Sequence, residues 1–388
     1  MNRLFYYEVD GTRFYNNVSA FQHLTKVKNT NNDAKIKFVL NFDSFKNYQN
    51  YGWDKEPPES ASYYMRQHAS LLYEKNKNLV LWYSGGTDSH AIANVFLDLQ
   101  IPIHLLWCDV FSRYWEDSNH PVVHCRRIEW EQQIKPDVDE WIKRANKTKH
   151  LFDFSETIMR GPKGKEMEKF LGSNKFEGSY QTLRDMWNLP ATYINEDKTK
   201  FGKSGIFGYE KPWLVIHKGW WCHTLSDAVV ANIGPNHLND NIWFFITDLV
   251  PNLHIKLTWN RMKAIEKIMI DYNLPMTNTQ AIAIQNTNSI YYTLLNNYCG
   301  YYSVNDYLRS PHVKLHEDSK LEDTIGYRVN QIMNIVGPQR IVLDDYLDKE
   351  IHPTIHENYL HVATKRPVGI STQIIPIKPV KDFRDAKK

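Results

Sequence analysis

Apolar positions along this chain fall into short continuous runs and helical stripes, separated by turn residues. Residues 4–15 hold two aromatic-rich runs that meet at Asp10 and Gly11, a pair that favours the tight turn of a β-hairpin. A helix is predicted over 17–28 and a strand over 36–41. A second helix is expected over 60–75, after the turn-forming Pro57 and Pro58. Residues 79–83 form an unbroken apolar run, as a strand buried on both faces of a parallel sheet requires. A polar, glycine-bearing segment follows at 84–89. Beyond it Ile92, Val95, Phe96 and Leu99 recur at the i, i+3, i+4, i+7 spacing of one helix face. Pro102 ends that helix, and 103–108 is a second apolar strand closing at Asp109. Strand, glycine-rich turn, helix and strand in this order predict an α/β fold, a parallel β-sheet flanked by helices, with ligands held at the carboxyl ends of the strands.

Further along, the pattern predicts helices near 122–133, 137–147 and 178–188, and a basic loop at 160–165. A strand over 205–209 is stopped by Pro212, and strands follow at 213–217 and 242–247. An amphipathic helix spans 259–272. From about 275 the chain is rich in Asn and Tyr and reads as helical in parts, with a Pro- and Lys-rich stretch at 365–388 expected to wrap or fray. The organisation expected is a small β-rich N-terminal region over 1–76, a nucleotide-type α/β domain over 77–250 and a mostly helical C-terminal region over 251–388. No internal repeat is present.

Composition narrows the class without choosing a function. At 42% hydrophobic and 23% charged residues, the 388-residue chain is neither a disordered segment nor a fibre. A net charge of +3 gives no overall argument for nucleic acid, so any basic surface is local. Cys108, Cys125, Cys222 and Cys299 form no CxxC pair, which speaks against a disulfide framework or a zinc ribbon and fits a reducing cytoplasm. His120, His124 and Cys125, with Cys108 upstream, match no zinc spacing, and 217–223 reads as an aromatic-rich packed turn. The early charges of the N-terminus predict no secretory leader, and no run approaches the roughly 18 apolar residues of a membrane span.

The chemistry is concentrated in Ser84, Gly85, Gly86, Thr87, Asp88 and Ser89. Backbone amides of a glycine-rich turn can approach phosphate oxygens closely, and the following helix adds the positive end of its dipole. The segment lacks the lysine of a Walker A loop and the spacing of GxGxxG. The plainer alternative is a polar turn in which Thr87 or Asp88 caps the helix, although a cap alone has no use for two glycines.

This segment, set between an apolar strand and an amphipathic helix, resembles the SGGxDS loop of the PP-loop, N-type ATP pyrophosphatases, the adenine nucleotide alpha hydrolase-like superfamily with a HUP-like sheet. Every fixed position of that motif is present. The resemblance implies a loop gripping the β- and γ-phosphates of ATP, cleavage between the α- and β-phosphates, and transfer of AMP to a substrate oxygen. It implies Asp88 as a catalytic magnesium ligand and Asp109, at the end of the second strand, as a nucleotide contact. The asparagine synthetase group carries a GxDE segment at the end of a later strand. Gly208, Tyr209, Glu210 and Lys211 stand in similar placement here without the Asp-Glu pair. On that resemblance Glu210 is the second metal ligand and Lys211 stabilises charge around the adenylate. ATP and Mg²⁺ are the implied cofactors.

The chain is most similar to the asparagine synthetase synthase domain, without the glutaminase domain, for which the stretch before residue 77 is too short. The expected reaction is activation of a carboxylate or carbonyl oxygen by adenylation, followed by attack of an amine. The partners are a small-molecule or nucleobase acceptor and a separate nitrogen or sulfur donor. A sulfurtransferase or phosphoadenylylsulfate-reductase-like enzyme of the same fold is the alternative, disfavoured by the absence of a close cysteine pair. A non-catalytic ATP-binding protein is a third reading, which the missing Asp-Glu pair favours. Nucleic acid as acceptor stays open but is not preferred, because the 12 Trp, 23 Tyr and 17 Phe are better explained as core than as stacking platforms.

Overall fold

A computed structural model describes residues 5–14, 17–34, 36–40, 50–83, 87–106, 108–109, 127, 130–147, 153–154, 159–160, 204–208, 212–224, 241–285, 291, 294–295, 298 and 375–381. The N-terminal hairpin forms as its turn dictates. β1 (Phe5–Val9) and β2 (Thr12–Phe14) pair antiparallel across Asp10 and Gly11, both at positive φ, 49° and 77°. α1 (Asn17–Lys28) and β3 (Ile36–Leu40) complete this head, with β3 antiparallel on the other side of β1.

α2 (Ala61–Lys75) begins where Ser60 accepts a hydrogen bond from the Tyr63 amide at 3.1 Å, a side-chain N-cap. Its buried stripe of Ala61, Tyr64, Met65, His68, Ala69 and Leu72 faces the core. β4 (Leu79–Trp82) and α3 (Thr87–Asp98) flank the glycine loop. Residues 89–97 of α3 are buried all round its axis, so this helix is interior. It stops through a left-handed Gln100 (φ 56°), with Ile101 donating back to the Phe96 carbonyl at 2.9 Å.

The predicted second strand divides. β5 (His104–Leu106) joins the main sheet, whereas β6 (Cys108–Asp109) leaves it to pair with β8 (Met159–Arg160). Of the stretch 122–129, where a helix was expected, Arg127 is helical and the rest lies outside the described residues; a π-helical turn, Trp130–Ile134, then leads into α4 (Lys135–Lys147). β7 (Asp153–Phe154), β9 (Ser204–Phe207) and β12 (Asn241–Trp243) are the remaining strands of the main sheet. Every pairing in it is parallel, and the spatial order is β12-β9-β4-β5-β7. Counted by succession within the sheet that is 5-4-1-2-3, a doubly wound order that reverses between β4 and β9.

A second, antiparallel sheet has the order β10-β11-β13. β10 (Trp213–His217) and β11 (Trp220–Thr224) form a hairpin through Lys218 and Gly219, at φ 48° and 78°. The segment read as a packed aromatic turn is therefore a two-residue type I′-like hairpin. β13 (Ile375–Pro379) is its third strand, so these residues neither wrap nor fray. Pro376 and Pro379 are tolerated because β13 lies at the sheet edge.

α5 (Pro251–Asp271) starts eight residues before its predicted position, with Pro251 in its first turn, and α6 (Asn278–Gln285) follows. Gln285 inserts its amide into the outer edge of β10. Its Oε1 accepts from the Leu214 amide at 3.1 Å and from Arg261 Nε at 3.0 Å, and its Nε2 donates to the Leu214 carbonyl at 2.8 Å. Asn278 Oδ1 accepts from the Ile216 amide at 2.9 Å, so two side chains cover an edge that would otherwise present bare backbone groups. One hydrophobic core runs from Ala61 on α2 through β4, α3, α4 and α5 to Ile377 on β13. Among the described residues no helix is long and apolar enough to cross a membrane.

Candidate functional site

In a doubly wound sheet the loops leaving the strands diverge where the order reverses, and a crevice opens at the carboxyl ends of those strands. Here that place lies between β4 and β9, in register through Leu79 with Ser204, Val80 with Gly205 and Leu81 with Ile206. The glycine loop leaves the carboxyl end of β4, and Gly208 directly follows the carboxyl end of β9.

Two of the residues singled out by sequence are brought together at this point. A Cβ built on Gly208 would stand 3.0 Å from Asp88 Cβ, 3.2 Å from the Asp88 carbonyl carbon and 3.2 Å from the Ser89 nitrogen. The end of β9 thus lies directly on the first turn of α3, and only glycine permits the approach. Thr87 opens α3, Asp88 is half-buried in its first turn and Ser89 is buried. A carboxylate at this end of the helix is favoured by the helix dipole. Ser84, Gly85, Gly86, Glu210 and Lys211 lie outside the described residues, although Glu210 and Lys211 are tied by the chain to Gly208 and Pro212. Asp109 lies in β6, opposite Arg160 of β8, and its side chain is likewise outside the described residues.

Among the residues that flank the loop in the chain is a cluster that sequence reasoning did not single out. Tyr83, the last described residue before the loop, is buried and its Oη stands 3.4 Å from His90 Nδ1. That same nitrogen is 3.6 Å from Oδ2 of Asp137, a carboxylate only 2% exposed on α4. Trp141, one turn further along α4, packs edge-on to Tyr83 (5.2 Å, 73°) and against His90 (4.8 Å). The available signal was the spacing of Asp137 and Trp141, four apart on one helix face, but nothing in the sequence says which helix that face meets. The arrangement ties Tyr83, the last described residue before the loop, to His90 on the helix that follows it.

The metal question turns on donor chemistry. Asp88 offers carboxylate oxygens, hard donors of the kind Mg²⁺ takes, and Glu210 lies outside the described residues. Among the described residues no group of three His, Cys, Asp or Glu side chains could hold a metal ion on its own. Magnesium usually completes its shell with water and substrate phosphate, so a sparse protein donor set fits it. Cys222, the cysteine whose side chain is described, is buried in β11 and burial pushes its thiol up to about 11.

No protein-family model matches the chain, and no curated protein or solved structure is significantly similar to it.

Proposed function

We propose that the chain binds ATP at the β4–β9 crevice, cleaves it between the α- and β-phosphates with release of pyrophosphate and transfers AMP to a carboxylate or carbonyl oxygen, after which an amine attacks the carbon bearing that oxygen and AMP leaves. The observation that carries this reading is the coincidence of two independent features. The SGGxDS-like loop leaves the sheet at its reversal point, and the segment that resembles the second acidic motif begins at Gly208, against Asp88. The resemblance to PP-loop ATP pyrophosphatases with a HUP-like sheet is supported by the doubly wound strand order.

In this reading the amides of 84–89 and the start of α3 hold the β- and γ-phosphates, and Ser89 and Thr87 line the turn. Asp88 and Glu210 hold Mg²⁺, which when bound neutralises phosphate charge. Lys211 opposes the charge that builds on the α-phosphate as the acceptor oxygen approaches, and Asp109 borders the nucleoside. Removing one such electrostatic group typically costs about 3–4 kcal/mol of transition-state stabilisation. The sulfur-relay alternative gains nothing from Cys222, because a buried thiol with a raised pKa supplies little thiolate.

Pyrophosphate release from ATP with Mg²⁺, measured against pools of carboxylates, amines and nucleosides, tests the proposal. Asp88→Ala is expected to lower the rate at least a hundredfold with the fold intact by circular dichroism. ATP binding without release of pyrophosphate under any of these conditions would favour a non-catalytic binding protein.

A further inference from the structure

The segment 51–59 belongs to no helix or strand, yet it covers two wholly buried histidines. Trp53, at its centre and only 2% exposed, stacks on the His223 ring at 4.8 Å and 21°. The same indole meets the His254 ring edge-on at 5.7 Å and 87°. His223 lies on β11 and His254 in the first turns of α5, and their Nε2 atoms stand 3.2 Å apart. Their Nδ1 atoms reach backbone carbonyls, that of Trp213 on β10 at 3.2 Å and that of Phe245, just beyond β12, at 3.1 Å. The two rings thus sit where the 51–59 strap, the antiparallel sheet and the chain leaving the parallel sheet meet.

Most of the walls around the rings are regular structure. β11 is paired on both sides, with β10 and β13, and α5 carries its own helical hydrogen bonds, so neither leaves the rings without breaking a ladder. The strap is fastened to α5 through side chains. Trp259 Nε1 donates to the Trp53 carbonyl at 3.0 Å, and Lys256 donates to Glu56 at 2.9 Å and to the Pro57 carbonyl at 3.0 Å. Lys263 also pairs with Glu56, and Tyr51 is hydrogen-bonded to Asp248, which lies between β12 and α5. A short irregular segment held in this way opens at a lower free energy than the helices and strands it rests on.

Burial keeps both rings neutral. Desolvation pushes His254 down to about 3 and His223 well below its ordinary value, the neighbouring ring lowers His223 further, and the carbonyl contacts oppose this only in part. An imidazole that water reaches titrates at about 6.5. The uncovered state therefore takes up protons that the covered state refuses, so the cover is firmest above that pH and loosens as pH falls below it. The other titratable groups on these elements do not share that window. Burial raises the Glu56 carboxyl, but hydrogen bonds from Lys263 and Lys256 outweigh it and hold it below its ordinary value, so this fastening keeps its charges at pH 5. Arg261 of α5 donates to Gln285, Lys378 of β13 is paired with Glu266 at 2.9 Å, and Lys267 is paired with Asp271. The Cys222 thiol of β11 is pushed up to about 11 by burial. His217 ends β10, and Asp54, Lys55 and Glu59 are exposed on the strap.

We propose that the 51–59 strap is an acid-released cover, closed at neutral pH over His223 and His254 and lifted from α5 in mild acid, baring Trp53 and both imidazoles while the parallel sheet stays folded. The device needs the three parts that meet here: a segment outside the ladders, an indole seated on the rings, and two imidazoles that take a proton only when the indole leaves.

Hydrogen exchange of the full chain read by mass spectrometry between pH 7.5 and 5.0, each rate divided by the intrinsic rate at its pH, compares the opening of 51–59 with that of α3. The opening constant of the strap is expected to be level above about pH 6.5 and to rise below it by up to tenfold per pH unit for each proton taken up, with α3 the more protected at every pH. The double variant His223→Asn, His254→Asn keeps an amide donor for each carbonyl and has no imidazole to charge, so its strap is expected to open to the same extent across the range. A strap whose protection is unchanged down to pH 5.0, or one that opens only in step with α3, would overturn the proposal, as would an unaltered pH dependence in the double variant. Should that variant not fold, the comparison of the two segments in the unmutated chain decides by itself.

Discussion

Gly208 is the residue on which the candidate site closes. Its missing Cβ lets the end of β9 lie against Asp88 and Ser89, and a methyl group there would meet backbone as well as side-chain atoms, which do not move aside cheaply. Gly208→Ala is expected to displace the first turn of α3 and weaken ATP binding about tenfold, roughly 1.4 kcal/mol. Isothermal titration measures this directly, and an unchanged dissociation constant would remove the close approach from any role in binding. The resemblance at 84–89 was legible because the spacing of two glycines, an Asp and a Ser is local. The contact with Gly208 was not legible, because more than a hundred residues separate the two positions and only strand pairing brings them together. The His90, Asp137 and Trp141 cluster was missed for the same reason.

At the level of elements, the strands of the antiparallel sheet depend on side chains from the helix beside them. Gln285 serves Leu214 at both its amide and its carbonyl and also accepts from the buried Arg261. Gln285→Leu keeps the approximate volume and deletes all of these bonds, one of them to a charged group. A loss of about 2–4 kcal/mol is expected by urea unfolding, as for removal of a buried charge-assisted hydrogen bond together with its neutral neighbours. A loss below about 0.5 kcal/mol would show that the β10 edge does not need the plug. Elements with local signals were readable from sequence: the Asp10-Gly11 turn, the helix after Pro57 and Pro58, and the apolar run of β4 beside the stripe of α3. The β10–β11 hairpin was hidden because Lys218 and Gly219 sit among aromatics that suggest packing before they suggest strands. Strand β13 was hidden because two prolines in five residues argue against a strand until its edge position is known.

For the whole molecule, acid is the expected weak point. His68 is fully buried on α2 with Nδ1 2.8 Å from the Phe244 carbonyl, and desolvation lowers it to about 3. The unfolded chain takes up that proton near 6.5 while the folded chain does not, so stability is full above 6.5 and declines as pH falls toward 3. The slope from this one residue is about 1.4 kcal/mol per pH unit. Denaturation at pH 6.5, 5.5 and 4.5 is expected to show a steeper loss in the unmutated chain than in His68→Gln, and parallel curves would remove His68 as the cause. The sequence by itself determined the local chemistry: the hairpin turn, the strand–loop–helix unit and a phosphate-loop-like segment, since each is encoded within a few residues by backbone preference and hydrophobic period. Only the tertiary structure decided the strand order, the seating of Gly208 on Asp88 and the meeting of His223 with His254. Those depend on which distant segments share one core, and apolar burial, being non-directional, writes no address for its partner into the sequence.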